Sequence, residues 1–382
     1  MSCFRVYPAC ILVAMVLASS FSAFGQTSTS IHGYAKNLAI RSSSPLSGEA
    51  FILDVSRFRA KGKVLGGSRF NAEAWLDTEV LLGRFVSSDE YNLAETYSRP
   101  SLLDLDWEVA SGESYQVRQN LFRAFAAVYF GQSLLTIGRQ RIAWGSGFAW
   151  NPTDIINPFN PGAIELGERT GVDAAYLSVQ TGTASRLELV VAAGGREWSR
   201  TIFASRYGTN FREYDVALMA ALVDDAWATG GDFAGYIGGA GLRGELAFTR
   251  HTAGRGTIRA VLNADYSFPN GLYSLAEVHY NGPGSQSKAN YDIEALLQGD
   301  TFSLAQRYAA LSVARGLSPL VGGALYALAN LDDGSALVGP SLTASLADNV
   351  DMAASTYFFV GKSDTEYGGQ HHVFFASVQW YY

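Results

Sequence analysis

Charged side chains of opposite sign gather in one part of the chain, and their types and spacing indicate an electrostatic role. Three arginines lie on neighbouring predicted strands and could form a basic wall: Arg123, Arg139 and Arg141. Four acidic residues lie on or beside the connection that follows and could face that wall: Asp154, Glu165, Glu168 and Asp173. Opposed walls of this kind create a transverse field that orders polar solutes and screens ions, so we expect these residues to line the constriction of a pore. The same charges could also pin the connection by salt bridges, and both roles can hold at once.

Residue patterns for catalysis and metal binding are weak. None of the five histidines is followed two positions later by serine, the pattern of barrel phospholipases. An omptin-like protease would need acidic pairs, but those at 224–225 and 332–333 lie in turn signals, where such pairs are common. His371 and His372 cannot both point to one side of a strand. We therefore expect no enzyme, no metal site and no cofactor, and we keep a hydrolase as the less favoured alternative.

Apolar residues recur at every second position along the chain, which predicts β-strands rather than helices. Clear examples are the segments 122–130, 257–268, 271–280, 302–314, 350–360 and 373–382, separated by turn signals such as LGGS, SFPNG, GLSP and DDGS. These strands reach about 10 to 13 residues, which is long for globular sheets and suits tilted membrane strands. Hydrocarbon tolerates no unpaired sheet edge, so the pattern predicts an all-β fold, a transmembrane antiparallel β-barrel.

The strand SLLTIGRQRIAWG carries the two closest arginines of the predicted wall. Alternation places Ile137, Arg139 and Arg141 on one face and Thr136 and Trp144 on the other. A lipid-facing arginine near the membrane midplane costs about 2 to 4 kcal/mol. We therefore expect both arginines to point into the lumen and Trp144 to face the lipid near the end of the strand.

The connection after this strand can be neither helix nor strand. Asn-Pro pairs at 151–152, 157–158 and 160–161 remove three backbone donors and restrict the residue before each proline. Regular alternation returns at residue 172, so the loop is about 25 residues long, and loops of that length are usually functional. Its apolar residues are poor material for a segment free in water: Phe148, Trp150, Ile155, Ile156, Phe159 and Ile164. We expect the loop to fold against the inner wall of the barrel and narrow the pore.

This part of the chain resembles a poorly characterised group of porin-like outer-membrane β-barrel proteins of Gram-negative bacteria. The resemblance rests on three features: the pattern G-R-Q-x-x-x-W-G at 138–145, the Asn-Pro-rich loop, and G-V-D at 171–173. The resemblance covers roughly Arg123 to Asp173, and elsewhere only the barrel pattern. It implies a barrel in the cell envelope, surrounded by outer-membrane lipid and lipopolysaccharide. It supplies neither a substrate nor residue roles.

The last predicted strand, FFASVQWYY, places four large apolar residues on one face: Phe374, Val378, Trp380 and Tyr382. It resembles the terminal sorting strand of bacterial outer-membrane barrels, which implies recognition by the barrel-assembly machinery. An ordinary aromatic edge strand is the alternative.

The first 25 residues have the pattern of a secretory signal peptide. Arg5 is followed by the apolar run 9–21 and by Ala23-Phe24-Gly25, which suits cleavage before Gln26. The apolar run is shorter than the roughly 20 residues that an anchoring helix needs. Both cysteines of the chain lie in this segment, so the exported chain, 26–382, would have no disulfide and no thiol ligand.

The net charge and the length of the chain bear on its partners and on the size of the barrel. The chain has 28 basic and 35 acidic residues, a net charge of −7, which argues against binding nucleic acid. Without its first 25 residues, the chain of 382 residues has 357 left. At roughly 22 residues per strand, this length allows about 16 strands, with a range of 14 to 18. Barrels of that size leave an aqueous channel. We therefore expect a porin-like outer-membrane channel for small polar solutes or ions, or alternatively a loop-closed barrel with a binding or structural role. The sequence leaves the oligomeric state open.

Overall fold

The computed structural model describes residues 27–44, 47–96, 102–158, 160–165, 170–193, 201–252, 254–297 and 301–382. The predicted signal peptide, 1–25, lies outside these residues. None of the helices in the described part of the chain is long and apolar enough to cross a membrane.

The described residues form nineteen strands with few helical segments between them. The strands are β1 (Thr27–Ser43), β2 (Ala50–Gly66), β3 (Phe70–Leu82), β4 (Asp106–Gly112), β5 (Tyr115–Phe130), β6 (Ser133–Gln140), β7 (Val172–Gln180), β8 (Arg186–Ala193), β9 (Thr201–Phe211), β10 (Tyr214–Val223), β11 (Ala226–Ile237), β12 (Ala240–His251), β13 (Gly256–Ser267), β14 (Leu272–Asn281), β15 (Arg307–Ser318), β16 (Val321–Asn330), β17 (Ala336–Ala347), β18 (Val350–Val360) and β19 (Val373–Tyr381). The helices are α1 (Asp89–Thr96) and α2 (Ile293–Leu297), with 3-10 turns at Arg84–Ser87 and Lys288–Asn290.

The strands close into an antiparallel barrel. Consecutive strands pair with each other, and β1 pairs with β19 to complete the ring. Strand β4 lies outside the ring, because it pairs with β5 alone while β3 pairs directly with β5. Within the described residues the barrel therefore has 18 strands with one further strand outside it. This confirms the all-β antiparallel barrel; the central prediction of 16 strands is two too low, and 18 is the upper end of the predicted range.

The two rims of the barrel differ, and this difference explains the error in strand number. At one rim several connections are only two residues long, such as 131–132, 238–239 and 319–320. Gly238 and Gly239 both have positive φ, as a two-residue hairpin turn requires. The chain therefore uses fewer residues per strand than the roughly 22 assumed. The longest connections, 83–114, 141–171 and 282–306, all lie at the other rim.

Alternate residues of each strand lie on two chemically different faces. One face carries exposed apolar side chains such as Phe58, Leu218 and Leu246, which are 52%, 71% and 54% exposed. The positions between them carry polar and charged residues, for example Arg59 and Glu245, which are buried. Because alternate residues of a barrel strand point out and in, we call the first the outer face and the second the inner face.

A β-bulge at Phe122 interrupts this alternation in β5. The register between β3 and β5 skips Phe122. Its ring stacks on Trp75 and lies 3.9 Å from the guanidinium carbon of Arg59. Phe122 therefore joins the inner face instead of sharing a face with Ala124, as simple alternation predicts.

Candidate functional site

The first half of the loop 141–171 packs against inner-face residues of β7 to β10. Ile142, Trp144 and Ile156 form one apolar cluster with side chains of these strands: Ala174, Val190, Ala192, Ile202, Ala204, Met219 and Ala221. Trp144 is only 4% exposed. The prediction that Trp144 faces lipid is therefore wrong: the alternation of β6 continues past its end and keeps Trp144 on the inner face.

A carboxylate of β12 binds the backbone of this loop. Glu245 Oε1 accepts the N–H groups of Ser146 and Gly147 at 2.5 and 2.6 Å. Its Oε2 accepts the N–H and the hydroxyl of Thr153 at 3.1 and 2.7 Å. A side chain at Gly145 would collide with this carboxylate, since its Cβ would lie 2.5 Å from Glu245 Oε1. Gly145 also has a φ of 89°, which L side chains rarely adopt, so a glycine suits this approach of the loop to the wall.

A second carboxylate, on β14, binds the next three residues of the loop. Glu277 accepts the N–H groups of Phe148, Ala149 and Trp150 at 2.6, 2.9 and 3.0 Å. The side-chain amide of Asn263 donates a further hydrogen bond at 2.9 Å. Both glutamates are nearly fully buried, so these charge-assisted bonds satisfy backbone donors that would otherwise lack partners.

Trp150 lies against aromatic residues of the same wall. Its ring stacks on His279 of β14, with ring centroids 5.0 Å apart, and tilts against Tyr308 of β15 at 5.5 Å. Trp150 and Ala149 belong to an apolar cluster that includes Leu328 of β16. The tip of the loop is therefore held by carboxylates and by aromatic packing at one place.

The second half of the loop bonds to strands farther round the ring. The hydroxyls of Tyr326 on β16 and Tyr357 on β18 donate to the carbonyls of Pro161 and Ala163 at 3.1 and 2.9 Å. Glu165 then binds two cations on β1 and β2. Its Oε1 lies 2.8 Å from Lys36 Nζ, and Arg57 donates through Nη1 and Nη2 at 3.1 and 2.8 Å.

Glu165 is ionised in this arrangement. Burial alone would raise the pKa of its carboxyl, but the hydrogen bonds and charges of Arg57 and Lys36 outweigh burial and lower that pKa below its usual value. The contact is therefore an ion pair at neutral pH.

Four cations follow one another along the inner face of β2, and we call them the cation row: Arg57, Arg59, Lys61 and Lys63. Carboxylates of β3 lie opposite three of them, at Glu79, Asp77 and Glu73. The residues of the cation row are not among the site residues predicted from the sequence. The signal of this row is the spacing R-x-R-x-K-x-K at 57–63, with the apolar Phe58 marking the other face.

Aromatic side chains surround the cation row. Arg59 is fully buried, pairs with both oxygens of Asp77 at 2.6 and 2.5 Å, and packs on Phe122. The Trp75 ring lies 4.3 Å from both Lys61 Nζ and the guanidinium carbon of Arg123. Arg123, one of the predicted site residues, is thus on the inner face beside the row.

The structure pairs Arg139 with Asp173, but on the outer face. Arg139 lies on the same face as Ile137, which is 56% exposed. Its Nε and Nη2 donate to Asp173 at 3.0 and 3.1 Å, and Nη2 also donates to the carbonyl of Leu103 at 2.6 Å. Leu103 in turn donates its N–H to Asp173. The predicted orientation of Arg139 into the lumen is therefore wrong. The segment before β4 covers the ion pair, so the guanidinium on the outer face bonds to protein.

The remaining predicted constriction residues are dispersed. Arg141 is exposed beyond the end of β6. Asp154 is buried within the loop, where its Oδ1 accepts the N–H of Asn157 at 3.1 Å. Glu168 lies outside the described residues. The predicted single basic wall does not form, because Arg123 and Arg139 lie on opposite faces.

A separate polar cluster joins three connections at the loop-rich rim. Glu366, between β18 and β19, accepts hydrogen bonds from Tyr308 and Asn330 at 2.8 and 2.7 Å. Its N–H donates to Asp333, between β16 and β17, at 2.7 Å. Lys288, between β14 and β15, donates to the carbonyl beside Glu366 at 2.8 Å. Burial raises the pKa of Glu366 to about 7.

No protein-family model matches the chain, and no curated protein matches its sequence. Solved structures do match. The Pseudomonas aeruginosa protein OpdK, solved with vanillate, is 11% identical with a TM-score of 0.56, covering 93% of this chain and 98% of that one. Pseudomonas aeruginosa OccK2 (OpdF), solved with glucuronate, is 12% identical with a TM-score of 0.53, covering 92% and 97%. A BenF-like porin from Pseudomonas fluorescens Pf-5 is 9% identical with a TM-score of 0.54, covering 92% and 98%. At these identities the likeness shows a shared barrel fold over nearly the whole length.

Proposed function

We propose that this protein is a porin-like channel of the bacterial outer membrane for small polar solutes, and that the loop 141–171 crosses its lumen as the constriction. The observation that carries the proposal is the attachment of the loop to inner-face side chains on widely separated strands. These extend from Glu245 of β12 and Glu277 of β14 to Lys36 of β1. A segment with such contacts is best accommodated inside the barrel.

The size of the barrel supports a channel that needs a constriction. Barrels of 16 to 18 strands leave a water-filled interior. A loop through that interior reduces the open cross-section and brings polar groups close to a passing solute. The surrounding partners are then outer-membrane lipid and lipopolysaccharide, and the barrel-assembly machinery during biogenesis.

The charges of the inner face favour anions among these solutes. The cation row lies beside Lys36, Arg118 and Arg123 on neighbouring strands. These seven cations face four carboxylates, those of Glu73, Asp77, Glu79 and Glu165, so this part of the inner face carries a net positive charge. Arginine binds carboxylates with two parallel hydrogen bonds. Vanillate and glucuronate, found with two structurally similar proteins, both carry a carboxylate. We therefore assign small organic anions as the favoured solutes.

A barrel closed by its loop is the second candidate, with a binding or structural role in the envelope. The feature that favours it is the number of strands to which the loop is bonded, since a loop fastened on many sides can fill the lumen. Conductance distinguishes the two candidates.

The test uses purified, folded protein in planar lipid bilayers. We expect discrete channel steps with anion selectivity, and a higher single-channel conductance after residues 150–165 are removed. As a control, Asp225→Asn, which changes a 63% exposed carboxylate at the same rim, should leave conductance unchanged. Folded protein that gives no channel steps at any voltage would instead support the closed barrel.

A further inference from the structure

The chain places one of its own carboxylates on cations of the inner face. Glu165 lies 2.8 Å from Lys36 Nζ and accepts two hydrogen bonds from the guanidinium of Arg57. Lys36 and Arg57 are direct partners in the register between β1 and β2. Two cations therefore converge on a single carboxylate group, which is the geometry in which arginine and lysine bind a carboxylate ligand.

The Glu165 end of the loop is held differently from the tip of the loop. At the tip, Glu245 and Glu277 are 5% and 1% exposed and bind seven donors of the loop. The side chain of Glu165 is 21% exposed, and those of Lys36 and Arg57 are 18% and 14% exposed. Water and small solutes thus reach the Glu165 contact but not the tip contacts.

Among the described residues of this end, the other bonds to the barrel strands are uncharged. Two tyrosine hydroxyls donate to the carbonyls of Pro161 and Ala163. Arg57 keeps a separate ion pair with Glu79, at 2.6 Å through Nε, when Glu165 leaves. Arg57 therefore stays in place after the loop carboxylate departs, and Lys36 lies directly opposite it in the register between β1 and β2.

We propose that Lys36 and Arg57 form a carboxylate-binding site, that Glu165 occupies this site as a built-in competitor, and that a solute carboxylate displaces it. The inference rests on the proposed channel function, because the solute reaches the site through the lumen. Displacement releases the Glu165 end of the loop while the tip stays bound. Passage of anions is then coupled to movement of one half of the constriction.

The competition sets the concentration at which a solute acts. A tethered ligand has an effective concentration on the order of millimolar at its site. A free monocarboxylate or dicarboxylate must therefore reach about the millimolar range to displace Glu165. If Glu165 occupies the cations for about nine-tenths of the time, its removal should tighten apparent solute binding about tenfold.

The experiment measures block of the chloride current by glutarate in planar bilayers. We expect Glu165→Gln to lower the half-blocking glutarate concentration about tenfold relative to the unchanged protein. Glu165→Asp keeps the charge but shortens the side chain by one methylene, so it should behave like Glu165→Gln. Adding Arg57→Gln to Glu165→Gln should abolish the gain.

The matched control is Glu73→Gln, which removes a carboxylate of the same inner face that pairs with Lys63 at 3.3 Å. It changes the net charge equally but leaves the Lys36 and Arg57 site occupied, so the half-blocking concentration should change little. Two outcomes would show that charge alone governs the block and would overturn the proposal. One is that Glu73→Gln lowers the half-blocking glutarate concentration as much as Glu165→Gln does. The other is that Glu165→Asp leaves that concentration unchanged.

Failure of the channel function has a separate signature. If the protein gives no channel steps, amide hydrogen exchange of residues 160–165 tests the site directly. Faster exchange on addition of glutarate, absent in the Arg57→Gln variant, supports displacement of Glu165 even in a closed barrel. Exchange that is insensitive to glutarate overturns the inference.

Discussion

Arg139 and Asp173 show how a charge can lie on the outer face of a barrel. The side chains are 5% and 4% exposed, and the backbone of Leu103 bonds to both. Breaking a buried ion pair by removing one partner leaves an uncompensated charge, which costs about 3 to 5 kcal/mol. We expect Asp173→Asn to lower the free energy of unfolding in lipid vesicles by about that amount.

An exposed contact between a carboxylate and a histidine provides the control for this prediction. Asp225 and His251 lie 3.2 Å apart but are 63% and 58% exposed. Exposed pairs contribute about 0 to 1 kcal/mol. Asp225→Asn should therefore leave unfolding almost unchanged, and a similar small effect of Asp173→Asn would contradict the description of a covered ion pair.

Glu366 should make the loop-rich rim sensitive to pH. Burial raises the pKa of its carboxyl from 4.5 to about 7 in the folded protein. The protonated form is thus favoured on folding, so its stabilising contribution is complete below about pH 4.5 and is lost as pH rises through about 7. We expect amide protection of residues 361–372, corrected for intrinsic exchange, to be at least about tenfold lower at pH 8 than at pH 5.

Two variants test the assignment of this pH dependence to Glu366. Glu366→Gln mimics the protonated carboxyl and can still accept from Tyr308 and Asn330, so protection should become independent of pH over this range. Asp364→Asn changes an exposed carboxyl of the same connection and should preserve the pH dependence. If Asp364→Asn removed the pH dependence, the titrating group would be Asp364 and not Glu366.

At the scale of elements, the loop 141–171 depends on two strands that are distant in sequence. Glu277 of β14 accepts three consecutive N–H groups, those of residues 148–150. A buried donor that loses its partner costs about 1 to 3 kcal/mol. We expect Glu277→Ala to free the loop tip, which should appear as larger open-channel current fluctuations and a higher mean conductance.

Glu188 of β8 gives a matched control for the loop prediction. It is also a buried inner-face carboxylate, but it bonds to Tyr176 and Arg206 rather than to the loop. Glu188→Ala should leave the current fluctuations unchanged. Equal noise in both variants would indicate a general loss of barrel rigidity instead of a released loop.

The sequence predicts the strands and the burial of the loop better than the orientation of single strands. Strand β18 occupies 350–360, as predicted, because its alternation of apolar and polar residues is regular. The orientation of β6 could not be inferred, because the cover over Arg139 comes from residues near Leu103, more than thirty positions earlier in the chain. The bulge at Phe122 is likewise set by pairing with β3, which no local pattern reveals.

The candidate site was predictable in part. The apolar residues of the loop correctly indicated contact with other residues, since Trp150 and Ile156 are 5% and 2% exposed. The partners of Glu165 could not be read from sequence, because Lys36 and Arg57 lie more than one hundred positions away. Long-range partners of this kind are fixed only when the barrel closes.

At the scale of the whole molecule, closure depends on the pairing of β1 with β19. Eight residue pairs join the strands, from Tyr34 with Tyr381 to Arg41 with Phe374. The backbone of Tyr382 adds two hydrogen bonds to Gly33, at 3.0 and 3.1 Å. In the proposed membrane location, a barrel without this seam would expose two unpaired strand edges to hydrocarbon, which tolerates none.

The Tyr382 side chain fits against this seam because Gly33 has no side chain. A Cβ at Gly33 would lie 2.0 Å from the carbonyl oxygen of Arg59 and 2.7 Å from the Tyr382 hydroxyl oxygen. The hydroxyl donates to that same carbonyl at 3.0 Å. Because Arg59 belongs to the cation row, the end of β19 is joined directly to the strand that carries the proposed selectivity.

We expect removal of residues 380–382 to prevent assembly while leaving export intact. The truncation removes the pairs of Tyr381 and Trp380 with β1 and all contacts of Tyr382, so the seam loses one end. It also removes two of the four residues of the predicted assembly signal. The measurement is the level of protein in the outer membrane, its heat-modifiable migration and its digestion by periplasmic proteases. As a control, Tyr382→Phe loses only the hydroxyl bond and should assemble normally. Normal assembly of the truncated chain would show that the remaining six residue pairs suffice for closure. It would also show that the assembly machinery recognises another part of the chain.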